Sequence, residues 1–525
     1  MRDVRRRERL AGLKRTSKQN RGNAKATVNA DEQRVMLRGS SKSSVSSPSL
    51  NSDAESLIPA IYRGRVDKWC AGYPLPLPST PSPPMSWFLD PFFTLPGASD
   101  LSETVGSLLN YWRTSFVPMT FPNTSKDAAR EMELMVRSSF SDPGSFFGLM
   151  SMCAAHRAVL GSQQSGVFDS ESGSGPPLAN DRVYCMMRAR SFQEMSAKVQ
   201  DPTRRLSNEA IDTIINLLTG SLIVGEFNEV HTHLTGLKRM VDMRGGIADD
   251  SIRSSSMLSA IITTDVKAAS GLMTKPVFDI TWDAQPIPLE IQLRIKPPVS
   301  SPLNRLGLGF FANAYLSPPL WRILSVLRDM VYFSIAQETN SAMIQPSDQD
   351  IFRVLTIEAE HQLLSYPYAD GSLNLEANLH PLEAVTRVAS ISFLNHFLIV
   401  SPSSSGLGRA LTKHLKAAAA NCTLSLLLGL PRENFQPYAW ALFIGAQGSL
   451  GHPERPWFVE RLARVSIICG WQSWEQVSKF MTDFFFVVAF DGLSWRSIWD
   501  EAMTGFVFSE SEEPELSYLL GPDSI

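Results

Sequence analysis

"HTHLTGLKRMVDMRGGI", residues 231–247, decides how the rest of the chain is read. Two histidines stand two apart, a basic pair follows, and Arg-Gly-Gly closes the stretch. A metal site, a phosphate loop, an RNA-binding tag and a helix end are all conceivable. The apolar spacing separates them. Val230, Leu234, Leu237 and Val241 recur at three- and four-residue intervals, which predicts one helix over 229–244. On a helix, residues i and i+2 point roughly 200° apart, so His231 and His233 do not chelate one ion. Lys238 and Arg239 fall on the polar side and read as solvated. Arg244-Gly245-Gly246 stands where the helix should stop, because glycine takes the left-handed conformation cheaply just past a helix end. Arginine in the last turn also suits the helix dipole. A single Arg-Gly-Gly lacks the repetition of RNA-binding tags. The plain reading is a helix and its C-cap.

The same periodicity extends outward. In Ser207–Leu222, Ile211, Ile214, Ile215, Leu218 and Leu222 follow 3-4 spacing behind Ser207 as N-cap. Ser473 and Gln476 make a capping box ahead of Val477, Phe480, Met481, Phe484 and Val488, which predicts one helix running into "FFFVVAF". Alternating strand patterns are scarce and no tandem repeat occurs. The expected fold class is all-α. Gly161–Asn180 and Ser401–Gly408, rich in Ser and Gly, read as internal loops. Trp457, Phe458, Trp474, Trp495 and Trp499 read as core rather than as a stacking platform.

Catalytic patterns are missing from the sequence. No Walker loop, HExxH or GxSxG occurs. "GLGRALTKH", 406–414, begins like a dinucleotide loop but lacks the third glycine and a preceding strand. No catalytic, cofactor-binding or metal-ligating residues are assigned, and no cofactor is expected. The five cysteines, Cys70, Cys153, Cys185, Cys422 and Cys469, stand far apart without a CxxC pair, as free and mostly buried thiols of a reducing compartment would. The longest fully apolar run, Phe484–Phe490, is far below the roughly 20 residues a membrane span needs.

Composition gives a globular chain with a basic arm. Of 525 residues, 43% are hydrophobic and 19% charged. Residues 1–25 hold ten Lys and Arg against Asp3 and Glu8, a net +8, whereas the remaining 39 basic and 50 acidic residues give −11. Two clusters stand out in the arm, Arg5-Arg6-Arg7 and Lys14-Arg15 with Lys18, spaced much as in a bipartite nuclear import signal. Next comes the Ser-rich "SSKSSVSSPSLNS", and then "PLPLPSTPSPP" at 74–84, with six prolines in eleven residues. The expected organisation is a disordered basic arm and Ser/Pro-rich linker over 1–85, a helical region over 86–510 and an acidic tail over 511–525.

"HLTGLKRMVDMRGGI" resembles the signature of the fungal-specific transcription factor domain, the regulatory half of fungal zinc binuclear-cluster regulators. His233, Leu234, Gly236, Leu237, Met240, Val241, Arg244, Gly245 and Gly246 carry the match. "DPFFTLP" at 90–96, "LLNYW" and the Pro-rich "FVPMTFP" are similar to the opening of that domain. "TTDVKAASGLMTKPVF", 263–278, resembles its helix with an Asp and small residues before a Pro, and "RPWFVERLARVSIICGWQSWEQVSKFMTDFFF" resembles its C-terminal segment. Together these span about 88–500. The resemblance implies an all-α regulatory region that receives signals or partners, with no catalytic residues to carry over.

The chain departs from that family in one respect. The zinc cluster needs six closely spaced cysteines, and none of the five here is so placed. "MRDVRRRERLAGLKR" instead resembles the basic segment of relatives lacking the cluster. In those relatives the segment follows further residues, so the expectation is that Met1 is a truncated start. The leading expectation is a nuclear transcription-regulatory protein acting through a helical effector or dimerisation region. Its partners would be an import receptor, and other regulators or a second copy of itself. Any DNA contact by the arm would be weak and sequence-blind, and no membrane is involved. The alternatives are a cytosolic helical scaffold or ligand sensor, and an enzyme with an unrecognised site.

Overall fold

A computed structural model describes residues 102–117, 139–164, 178–253, 257–282, 287–368, 379–398, 402–429 and 431–505. All lie in the second of the two units into which the chain divides, Leu57–Ile525. Among the described residues every regular element is helical and no strand occurs, so the fold class is all-α as expected. The arm, the Ser/Pro-rich linker, "DPFFTLP", most of "FVPMTFP" and the acidic tail lie outside the described residues.

In chain order the helices are α1 (Ser102–Tyr111), α2 (Pro143–Gln164), α3 (Arg182–Gln200), α4 (Asn208–Val224), α5 (Phe227–Met243), α6 (Met257–Leu272) and α7 (Leu289–Ile295). They continue as α8 (Pro318–Thr339), α9 (Pro346–Ser365), α10 (Pro381–Phe393), α11 (Gly406–Asn421), α12 (Phe435–Gly448), α13 (Arg455–Cys469), α14 (Trp474–Met481) and α15 (Val488–Gly505). Single-turn helices fill some of the connections.

Two hydrophobic cores organise these helices. A smaller one gathers α1, α2 and the start of α3 around Leu108, Trp112, Phe146 and Met150. The larger takes α4 through α15, with Phe310, Trp440, Phe443 and Trp495 among its buried side chains. Helix α4 joins them. Its predicted stripe, Ile211, Ile214, Ile215, Leu218 and Leu222, faces the larger core, while Ile223 and Val224 belong to the smaller. Its seam with α2 is lined by small and polar side chains. Ser145 Oγ lies 3.2 Å from Thr213 Oγ1, and Asn216 Nδ2 donates to Ser145 O at 3.1 Å. Lys198, only 1% exposed, enters the same seam to pair with Asp142 and to donate to Thr213 Oγ1 at 2.9 Å. Burial of an ammonium is tolerable only with such partners.

Capping residues read from sequence sit where the spacing puts them. Ser207 accepts from Ala210 N, and α4 ends at Gly225 with φ +91°. Ser473 accepts from Gln476 N, but the Gln476 side chain reaches back one residue further than a capping box requires, to Gln472 N at 2.8 Å.

The expected single helix from Trp474 through Val488 does not form. Helix α14 stops at Met481 and α15 begins at Val488. Phe484, Phe485, Phe486 and Val487 between them are all buried. A helix turns each residue about 100° from the last, so burying four in a row from one requires neighbours on every side, as α12 has. A non-helical link buries all four. Phe484 and Phe485 meet Phe310 at 4.9 and 5.0 Å, and Phe486 meets Trp495 at 4.8 Å. The Asp483 carbonyl accepts from Gly309 N at 2.8 Å instead of serving the helix. Phe480, expected in the apolar stripe, is exposed.

Two loop boundaries also move. Helix α2 continues through Gly161–Gln164, and α11 starts at Gly406 inside the expected Ser401–Gly408 loop. Of the aromatic residues assigned to the core, Phe458, Trp495 and Trp499 are buried, whereas Trp457 and Trp474 are half-buried against the larger core.

Candidate regulatory site

Helix α5 carries the opening stretch. Val230, His233, Leu234, Leu237, Met240 and Val241 are its buried face. His231 is exposed, so the two imidazoles leave the helix on different sides. Gly236 marks the crossing with α4, since a Cβ there would lie 3.1 Å from Ile214 Cδ1. The helix ends in two hydrogen bonds: Gly246 N–H donates to Val241 O at 3.0 Å and Gly245 N–H to Asp242 O at 3.1 Å. This is the Schellman arrangement, which needs a left-handed residue at Gly245, where φ is +105°; Gly246 after it also has a positive φ, +93°. Arg244 donates to Asn208 Oδ1 at 2.8 Å and Ser251 Oγ at 3.0 Å, tying the end of α5 to the start of α4.

A polar cluster lies between α3 and α5. Arg188 pairs with Glu229, whose second oxygen accepts from Ser221 Oγ at 3.1 Å. The Arg188 guanidinium stands 5.2 Å from the Phe192 ring centroid and 5.8 Å from that of Tyr184. Phe192 lies 5.5 Å from the His233 ring. Burial lowers the His233 pKa, partly countered by Glu229, and its Nε2 has no hydrogen-bond partner.

The outer side of α5 forms a shallow depression of about 500 Å³ with Val277, lined by Thr235, Lys238, Arg239, Asp242 and Met243. Lys238 is not simply solvated. It bonds both Asp242 oxygens at 2.6 and 2.7 Å and stands 5.7 Å from the Phe278 ring. Asp265 of α6 fixes the neighbouring wall. Fully buried, it accepts from Val277 N at 3.1 Å and Phe278 N at 2.8 Å, and burial pushes its pKa up to about 6.

"GLGRALTKH" is the first half of α11. A Cβ at Gly406 would lie 2.2 Å from Gly225 N, and one at Gly408 would lie 2.4 Å from Ser403 O. Those glycines admit backbone rather than phosphate. Among the described residues no group of three or more His, Cys, Asp or Glu could hold a metal ion, and no helix is long and apolar enough to cross a membrane. Cys153 and Cys422 are buried thiols, and burial pushes the Cys422 pKa up to about 12, which makes it a poor nucleophile. Arg5, Arg6, Arg7, Lys14, Arg15 and Lys18 lie outside the described residues.

Sequence reasoning missed the cross-helix polar groups. The Arg188–Glu229 pair is one. Another is the network in which Lys267 bonds Glu360 at 2.6 Å and Asn395 at 2.7 Å, while Ser270 bonds Glu360 at 2.6 Å. These residues are 35 to 128 positions apart, and no local spacing announces them.

Helix α5 with its Schellman end is the segment on which the sequence resemblance rests, and it is helical as that resemblance implies. The sequence model of the fungal specific transcription factor domain matches residues 107–484, and the chain belongs to that family. That family comprises regulatory domains of transcription factors and is not an enzyme family, which gives the chain a transcription-regulatory role. Neither the comparison with curated proteins nor that with solved structures returns a match.

Proposed function

We propose that this chain regulates transcription in the nucleus through partner proteins, with its helical region as the effector or dimerisation module and without a zinc cluster of its own. The observation that carries this reading is the family match over 107–484 in a chain whose five scattered cysteines provide no six-cysteine cluster. The basic arm, with Arg5-Arg6-Arg7 and Lys14-Arg15 with Lys18, serves import first. Its contact with DNA phosphates would be non-specific, micromolar or weaker at physiological salt. Partners are an import receptor, and other regulators or a second copy. The depression beside α5 suits such contacts, because Met243 and Val277 are exposed apolar side chains beside Lys238 and Arg239. The domain division proposed is 1–85, 86–510 and 511–525. Chromatin immunoprecipitation of a tagged full chain tests the reading. Enrichment at discrete promoters is expected. Enrichment no greater than that of an untagged strain, with the chain resident in the cytoplasm, would favour the alternative of a cytosolic scaffold or ligand sensor.

A further inference from the structure

The turn between α3 and α4 reads Asp201-Pro202-Thr203-Arg204-Arg205-Leu206-Ser207. Among the described residues, a serine or threonine follows arginines both three and two places before it only here. Pro202, Thr203, Arg204 and Arg205 are exposed, as are Asn208 and Glu209 beyond Ser207. The turn is closed by its own residues. Asp201 Oδ1 accepts from Thr203 N at 2.8 Å and Thr203 Oγ1 at 2.7 Å, and the Asp201 carbonyl accepts from Arg205 N at 2.9 Å. Arg204 makes a loose 3.6 Å pair with Asp142, and Leu206 packs against the larger core. A segment held by such short-range bonds opens without unfolding the helices on either side. An Arg-directed protein kinase reads a pair of guanidinium groups so placed through carboxylates in its peptide groove.

Ser207 is half-buried, and among the described residues its Oγ acts only as an acceptor, from Ala210 N at 3.2 Å. Its hydroxyl proton is uncommitted. A third arginine reaches the same place from the signature segment. The Arg244 guanidinium crosses from the end of α5 to Oδ1 of Asn208, the residue after Ser207, at 2.8 Å. Its other bonds run to Ser251 Oγ at 3.0 Å and Met257 Sδ at 3.9 Å. All three acceptors are neutral. Asp249 feels the Arg244 charge, but its Oδ1 is bonded to Ser251 N at 2.9 Å.

We propose that Ser207 is the phosphoacceptor of an Arg-directed protein kinase, and that Arg244 grips the phosphate and so locks the start of α4 to the end of α5. In the transfer, Ser207 Oγ attacks the γ-phosphorus of kinase-bound ATP. The bond from that phosphorus to the β–γ bridging oxygen breaks, ADP leaves, and the hydroxyl proton passes to the carboxylate base of the kinase. The product carries a charge of about −1.5 to −2 at neutral pH. It stands at the N-cap of α4, where the helix dipole favours an anion. A phosphate oxygen is also a stronger acceptor for a guanidinium than the Asn208 amide oxygen it displaces. The proposal gives the regulatory region a signal to receive. Its test needs only purified chain, so its failure and that of the transcriptional reading are separable.

The test incubates the folded full chain with ATP and the catalytic subunit of cyclic-AMP-dependent protein kinase, and maps phosphopeptides by mass spectrometry. Ser17, which follows Lys14-Arg15, is the internal control for kinase action. Phosphate at Ser207 is expected, at a rate at least tenfold lower in Arg205→Ala, an exposed change within the turn. Ser207→Asp, which keeps a capping oxygen, should stay folded and take no phosphate in that peptide. In the phosphorylated chain, amide exchange should slow severalfold at Asn208–Ile211 and at Met243–Gly246, and Arg244→Gln should abolish the second effect while sparing the first. Phosphate at Ser17 with none at Ser207 would overturn the proposal. So would an equal rate in Arg205→Ala, or unchanged exchange at Met243–Gly246 once Ser207 is phosphorylated.

Discussion

Replacing Gly245 by alanine should loosen the end of α5 by an amount that separates into two parts. The first is backbone strain. At φ +105° an L-residue costs roughly 1–2 kcal/mol relative to glycine. The second is steric, because a Cβ would lie 2.9 Å from Asp249 Oδ2. That carboxylate also holds Ser251 N at 2.9 Å through its other oxygen, so moving it disturbs a second bond. The sum for Gly245→Ala is about 2 kcal/mol. Gly246 makes the internal control. Its φ is +93°, but a Cβ there meets nothing within 4 Å, so Gly246→Ala should show strain alone, about 1 kcal/mol. In an Asp249→Ala background the cost of Gly245→Ala should fall towards that of Gly246→Ala, which a double-mutant cycle measures. Urea denaturation followed by circular dichroism gives the totals, and amide exchange at Met243–Gly246 localises the loss. Gly245→Ala within about 0.3 kcal/mol of wild type would refute the left-handed C-cap. Equal costs for Gly245→Ala with and without Asp249 would refute the contact.

Other expectations follow from the same geometry. Gly406→Ala should destabilise by about 3 kcal/mol, since its Cβ would meet backbone at Gly225, whereas Gly161→Ala, in open space on α2, should stabilise by about 0.5–1 kcal/mol; urea midpoints of the two variants should move in opposite directions. His156 is buried with Nδ1 2.7 Å from Tyr111 Oη, and burial lowers its pKa from 6.5 to about 4. A pKa depressed in the folded state leaves its stability contribution intact above pH 6.5 and removes it as pH falls towards 4, a loss of about 3 kcal/mol. His156→Gln should therefore lose less stability than wild type between pH 6.5 and 4, and identical slopes would contradict the assignment. Replacing Arg5, Arg6, Arg7, Lys14 and Arg15 with Ala should move a fluorescent fusion out of the nucleus while circular dichroism of the chain stays unchanged. Undiminished nuclear accumulation would defeat the import role.

Helix positions were legible where a single amphipathic stripe met a single core. Helices α4 and α5 are of that kind, and their caps at Ser207 and Gly245-Gly246 depend on local chemistry alone. The link Phe484–Val487 was not legible. Its apolar run satisfies helical and non-helical readings equally, and the deciding partners, Phe310, Phe393, Trp440 and Trp495, come from distant segments. The glycines of Gly406–Gly408 were ambiguous for a similar reason. Phosphate loops and tight helix crossings both need a missing Cβ, and only the approach of Gly225 tells them apart. Within the site, His233 and Arg244 were visible as parts of a motif. Arg188 and Glu229 carry no local mark, because each acquires its role from a partner on another helix; Asp265 was visible only as the Asp of the 263–278 resemblance, and its bonds to Val277 N and Phe278 N were not.

The central claim is that the helical body changes transcription when brought to a promoter. The most direct measurement fuses the full chain to a heterologous DNA-binding module and reads a reporter bearing that module's sites. Reporter output should change several-fold relative to the module alone, and Gly245→Val, which breaks the end of α5, should reduce the change. Output indistinguishable from the module alone, with the fusion nuclear, folded and bound at the reporter, would contradict the account.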